Sequence, residues 1–316
     1  MAKQRLYYLD ALKGILIILV ILGHSIQYKI MDYQHDVLFR VIYSFHMPLF
    51  FLISGFLTYK GRYDAFMVKK RFVQCIIPFV SWAFLLPMFE SGTYNFERTI
   101  KILTYPDNGL WFLYNLFFYC LVFNFSERLS NQKFKQEYVL LTMCVILYVL
   151  MPFLHTRFNV TQICWYLPFF AMGYYIRKYP SLLDSKRASI AIMGGGYILT
   201  VPFWMMRDVP LFYRWVNLGG VFSYGYRYFV EFAGAYTFYI LGKQFLNIHI
   251  PFINYLGTKT LGIYAFQFIV LYHFALKCDT YLCIFITTII CIFLSLILVE
   301  VVHRIKYIRL FLIGER

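Results

Sequence analysis

Apolar residues along this chain fall in long unbroken runs, neither alternating at the period of a strand nor striped along one face of a soluble helix. Ten stretches of 14 to 22 residues carry the pattern, over 8–28, 37–58, 72–89, 109–125, 138–154, 163–176, 189–206, 221–242, 260–276 and 281–302. A helix needs about 20 apolar residues to cross the hydrocarbon of a bilayer, and in lipid only a helix or a closed barrel satisfies its own backbone. The runs therefore predict an all-α protein, a polytopic transmembrane helical bundle of about ten spans. No linker, low-complexity segment or fixed-period repeat interrupts them, so residues 1–316 read as a single membrane-embedded domain. Gly194-Gly195-Gly196 reads as a place where helices pack closely.

Composition agrees with the pattern: 61% of residues are hydrophobic and 14% charged, where a soluble domain carries about 25% charged. The net charge of +15 suggests a nucleic-acid binder until its distribution is read, because the basic residues are scattered between apolar spans. Twenty lysines and arginines fall in the termini and alternate loops on one side, and seven in the loops on the other. Basic residues concentrate on the cytoplasmic side, so both termini are expected in the cytoplasm. The first span lacks a small-x-small cleavage site and contains charges, so it is expected to be retained. Seven cysteines show no CxxC spacing, so neither a zinc site nor a disulfide framework is indicated. A bridge between Cys278 and Cys283, near one membrane face, is sterically open.

Three polar residues stand out inside the first span: Asp10, Lys13 and His24. At about 100° per residue, Lys13 and His24 lie within roughly 20° of one another, and Asp10 within about 40° of His24. All three share one stripe, with Asp10 and Lys13 an i,i+3 pair. The stripe rises roughly 21 Å at 1.5 Å per residue, most of the hydrocarbon thickness. Charges in hydrocarbon cost a few kcal/mol or more and commonly mark function. In the second span, Pro48 removes a backbone donor two residues after His46. His46 reads two ways, as the partner of a carbonyl freed at the break or as a second histidine in one cavity with His24, their depths differing by about 7 Å. Lys69, Lys70 and Arg71, before Pro78, read as a basic anchor or as a phosphate clamp for a polyanionic donor. Trp111 opens the fourth span in the manner of an interface anchor. Glu231 lies four residues after Arg227, the spacing of an intrahelical ion pair. His24 and His46 lack an evident third ligand, so no metal is expected.

These residues carry a resemblance. Leu9-Asp-Ala-Leu-Lys-Gly-Ile-Leu-Ile-Ile-Leu-Val-Ile-Leu-Gly-His24 followed by Phe45-His-Met-Pro-Leu-Phe-Phe-Leu-Ile-Ser-Gly55 is similar to the integral-membrane acyltransferase-3 family, in its fucose 4-O-acetylase-like branch. The likeness continues through Lys70-Arg71 with Pro78, Trp111-Phe112-Leu113, Phe170-Ala-Met-Gly173 and Leu256-Gly-Thr-Lys-Thr-Leu-Gly-Ile-Tyr264. Three positions depart from it. Lys13 stands where the family often has arginine, Gln74 fills the second place of an Arg-x-x-Arg pattern, and Gln267 replaces a late histidine.

The resemblance implies an O-acetyltransferase that moves acetyl from acetyl-CoA onto a carbohydrate hydroxyl, in a cell-surface polysaccharide or its lipid-linked precursor. Its setting would be a bacterial-type inner or plasma membrane. His24, Lys13, Asp10 and His46 are the candidate catalytic residues, and Lys69, Lys70, Arg71 and Trp111 the candidate donor-binding ones. His24 would act as general base, since imidazole ordinarily titrates at about 6.5, or would carry the acyl group itself. Lys13 would orient the donor or steady negative charge, held by Asp10. The expected partners are acyl-CoA, a carbohydrate acceptor and the lipid bilayer, with no nucleic acid. A transporter or flippase for a glycan or acylated intermediate also suits a polar stripe and a Pro-broken helix. A receptor or assembly partner would use the buried charges only to specify packing.

Overall fold

A computed structural model describes residues 6–130, 135–154, 156–183, 187–206, 220–276 and 280–315. The described residues are helical, joined by short turns, with no strand among them. The helices are α1 (Tyr7–Lys29), α2 (Val37–Tyr43), α3 (His46–Thr58), α4 (Ala65–Arg71), α5 (Ile77–Ser91), α6 (Phe96–Thr104), α7 (Trp111–Leu129) and α8 (Gln136–Leu154). They continue as α9 (Val160–Lys178), α10 (Arg187–Thr200), α11 (Gly220–Phe245), α12 (Pro251–Thr258), α13 (Thr260–Phe274), α14 (Tyr281–His303) and α15 (Lys306–Ile313). A helix stands at each of the ten apolar stretches. Among the described residues, five helical segments are long and apolar enough to cross a membrane: Tyr7–Lys29, Val37–Thr58, Ala65–Ser91, Gln136–Leu154 and Tyr281–His303. The protein is thus an all-helical membrane protein.

The helices form two compact units, one of residues 1–50 and 181–296, the other of residues 51–180 and 297–316. In the first unit α1 lies against α11, α12 and α13. Its contact with α12 is backbone to backbone. A Cβ on Gly257 would fall 1.8 Å from the Asp10 carbonyl oxygen, and one on Gly14 would fall 2.0 Å from that of Ile253. Asn254 ties the same pair, donating to the Tyr7 carbonyl at 2.8 Å. The Gly194–Gly196 run is looser than expected: Gly194 and Gly196 touch side chains of α11, while nothing lies within 4 Å of Gly195.

In the second unit Gly55 and Gly173 bring α3 and α9 together, since a Cβ on Gly173 would fall 1.8 Å from the Leu52 carbonyl oxygen. Between α4 and α5 the chain widens into a π-helical turn, Phe72–Ile76. Such turns recur at functional sites because they re-aim side chains without ending the helix. The terminal helix α15 docks beside it, its Leu312 carbonyl accepting from Trp82 Nε1 at 3.0 Å. Gly314 ends that helix at φ 71°, and a Cβ there would meet Gln74 Cα at 2.5 Å.

Two expectations change. The break in the second span falls at Ser44–Phe45, ahead of Pro48, which lies in the first turn of α3. There its missing N–H is one that the helix would leave unsatisfied anyway. Cys283 is disulfide-bonded where the spacing indicated no disulfide framework, and Cys278, with which the sequence left a bridge open, lies outside the described residues.

Candidate active site

All four catalytic candidates lie in the first unit. Lys13 Nζ sits 2.9 Å from Asp10 Oδ1, with both side chains about four-fifths buried. The i,i+3 spacing on α1 makes this pair, and the glycine contact with α12 presses a backbone against Asp10 itself.

His24 lies about three-quarters of the way along α1, partly exposed. Its Nδ1 is 3.2 Å from Gln267 Oε1 on α13, and its ring packs on Phe268 with centroids 5.2 Å apart. Gln267 is fully buried, and its Nε2 donates to the Tyr264 carbonyl at 3.2 Å. A carbonyl can only accept, so that bond identifies the nitrogen end of the amide and turns its oxygen toward His24. Nδ1 must then carry the imidazole proton, and the lone pair stands on Nε2. A histidine held in that tautomer can take a proton from a hydroxyl at Nε2. Gln267, which the sequence shows only as a departure from a family pattern, thus sets the tautomer of the candidate base.

His46 is 2% exposed and directs Nδ1 at the Ile42 carbonyl, 2.8 Å away, at the end of α2. The Tyr43 ring meets it edge-on at 4.6 Å. The imidazole caps a carbonyl at the helix break and also lies within electrostatic reach of His24, so both of its readings stand. Glu231 is buried in α11 at 2% exposure. Among the described residues, no three His, Cys, Asp or Glu side chains are grouped to hold a metal ion.

The donor candidates lie in the second unit. Lys69 and Lys70 are exposed on the last turn of α4, and Arg71 is half-buried where the π-helical turn begins. The Arg71 guanidinium makes one long contact, Nη1 to Gln74 Oε1 at 3.4 Å. Most of the donors of its fork are therefore unused by the described residues. Gln74 is not a second cation, but the π-helical turn brings it within reach of Arg71. Trp111 begins α7 and stacks on Tyr166, ring centroids 5.5 Å apart. That gives it a packing role whatever else it contacts.

The family described as an acyltransferase domain matches residues 6–303. Nodulation protein NolL of Sinorhizobium fredii (strain NBRC 101917 / NGR234) is 30% identical over 191 residues, covering 55% of this chain and 49% of that protein. Nodulation protein NolL of Mesorhizobium japonicum (strain LMG 29417 / CECT 9101 / MAFF 303099) is 38% identical over 90 residues, covering 26% of this chain and 24% of that one. The matched region thus spans about half the length of the first of these curated relatives and a quarter of the second. No solved structure matches. The family match takes in both the α1 stripe with its tautomer-setting glutamine and the basic last turn of α4, and by it this chain belongs to the acyltransferase-3 family.

Proposed function

We propose that the protein is a membrane O-acetyltransferase that moves acetyl from acetyl-CoA to a hydroxyl of a cell-surface polysaccharide or its lipid-linked precursor. The observation that carries this reading is the His24–Gln267–Tyr264 chain, which leaves a basic nitrogen on a partly exposed imidazole inside a membrane helix. A transporter would use the same polar stripe as a path, whereas the transferase reading also gives a role to the tautomer that Gln267 fixes on His24.

In the proposed reaction His24 Nε2 takes the acceptor hydroxyl proton as the oxygen attacks the thioester carbonyl. The C–S bond then breaks, and the imidazolium returns the proton to the departing CoA thiolate. The products are an O-acetyl ester and free CoA, with His24 neutral again. Lys13, paired with Asp10, steadies the negative charge that develops on the carbonyl oxygen. Lys69, Lys70 and Arg71 hold the donor's phosphates on the cytoplasmic side. The disulfide at Cys283 fits this orientation, because the α13–α14 connection would then face the oxidising side of a bacterial-type inner or plasma membrane. The whole of residues 1–316 acts as one catalytic domain.

Purified protein in lipid nanodiscs, given radiolabelled acetyl-CoA and surface glycan from a strain lacking the gene, should transfer label to an alkali-labile ester. Transport of unmodified glycan with no ester formed would instead favour the flippase reading.

A further inference from the structure

The opposite end of the first unit holds a second buried cation. Arg40, one turn into α2, is 7% exposed. Its Nη1 donates to the Pro202 carbonyl, at the 3-10 turn Val201–Phe203, and its Nε has no acceptor. An arginine is always charged, and a buried charge without a counter-ion costs several kcal/mol. Asp36, the natural i−4 partner, is engaged elsewhere: its carboxylate accepts from Phe39 N at 2.8 Å and from the Tyr281 hydroxyl. Among the described residues no carboxylate pairs with Arg40.

A second orphan donor lies close in the chain to Arg40's acceptor. Trp204, two residues beyond Pro202, is 1% exposed, and its indole Nε1 also has no acceptor. An indole N–H ordinarily finds a partner when buried, and leaving it bare is unfavourable. Polar groups on neighbouring stretches of the chain are bonded elsewhere. Ser44 and Tyr197 bond each other at 2.9 Å, and Tyr226 donates to the Thr200 carbonyl. Two buried N–H donors, one of them cationic, thus stand without acceptors on segments joined by the Arg40–Pro202 bond.

We infer that Arg40 and Trp204 bind a phosphate ester. The guanidinium fork suits two phosphate oxygens and the indole N–H a third. Arg40 stands about 4–5 Å along α2 from its start, at the depth of lipid phosphates on the face opposite the basic loops. The ester belongs either to a bilayer phospholipid or to the lipid carrier of the acceptor. The second source would make this a subsite of the proposed transferase and rests on that reading, whereas the phosphate affinity does not.

Native mass spectrometry of the full-length protein, without acyl donor or glycan, can count bound dodecyl phosphate against uncharged dodecyl glucoside. The parent should retain dodecyl phosphate preferentially. Arg40→Gln should lower its affinity at least tenfold, Trp204→Phe about threefold, and Arg40→Lys should fall between parent and Arg40→Gln. If Arg40→Gln fails to fold, the other two variants carry the comparison. Displacement of dodecyl phosphate by dioleoyl phosphatidylglycerol would identify a bilayer lipid, and resistance to it an acceptor carrier. Equal retention of the two probes by the parent, or unchanged affinity in Arg40→Lys and Trp204→Phe, would overturn the site. Because no acyl transfer is measured, loss of this site and loss of the transferase reading are separate outcomes.

Discussion

At the scale of single residues the chemistry rests on His24 and on what holds it. Replacing His24 by alanine should cut acetyl transfer by roughly 10²–10⁴-fold, the usual worth of a general base, with insertion intact. His24→Gln should not recover it, since an amide forms hydrogen bonds but takes no proton near neutral pH. Gln267→Ala should lower kcat by about 10–100-fold while leaving KM for acetyl-CoA unchanged, because the imidazole loses the partner that sets its tautomer. If both kcat and KM for the donor were untouched, Gln267 would be a packing residue. Lys13→Arg should keep appreciable activity, and Lys13→Met should lose most of it while leaving Asp10 charged and unpaired in the membrane. Initial rates with labelled acetyl-CoA test all five variants.

At the scale of elements, two glycine contacts decide how closely helices approach. Gly257→Ala would drive a methyl into the Asp10 carbonyl, so it should destabilise the protein by about 1–3 kcal/mol and disturb the Asp10–Lys13 pair as well. Gly195→Ala, with open space around it, should leave the melting temperature unchanged or raise it slightly. Thermal unfolding in detergent distinguishes the two, and equal effects would mean that the α1–α12 contact is softer than its geometry implies. The α4 turn yields a second expectation at this scale. Changing Lys69, Lys70 and Arg71 together to glutamine should weaken acetyl-CoA binding, and raised salt should mimic the loss in the parent, because exposed charges are screened. Unchanged affinity in a correctly inserted triple variant would leave these residues only as anchors.

At the scale of the whole molecule the distribution of positive charge sets the orientation. With twenty basic residues in the termini and alternate loops against seven on the other side, a tag after Arg316 should resist a membrane-impermeant label in intact cells and react once the membrane is opened. Labelling of intact cells would invert the topology and move the Lys69–Arg71 turn away from cytoplasmic acetyl-CoA.

The helical class, the position of each apolar segment and the Asp10–Lys13 pair were all legible in the sequence. Each depends on residues close together in the chain: a run long enough to cover hydrocarbon, or an i,i+3 spacing on one helix. His24 was legible for the same reason, since a titratable residue in an apolar run costs energy wherever the helix goes. Its partner was not. Gln267 lies 243 positions away and looks like the loss of a family histidine until α13 packs on α1. The role of His46 also needed the fold, because the chain breaks before Pro48 and only coordinates show which carbonyl the imidazole meets. The π-helical turn at Phe72–Ile76 leaves no periodic trace, since one widened turn does not change an apolar run. Arg40 and Trp204 are 164 residues apart, and in sequence each is an ordinary residue near a span end. Only tertiary packing buried both and withheld their acceptors, because whether a donor is satisfied depends on every chain segment that reaches it.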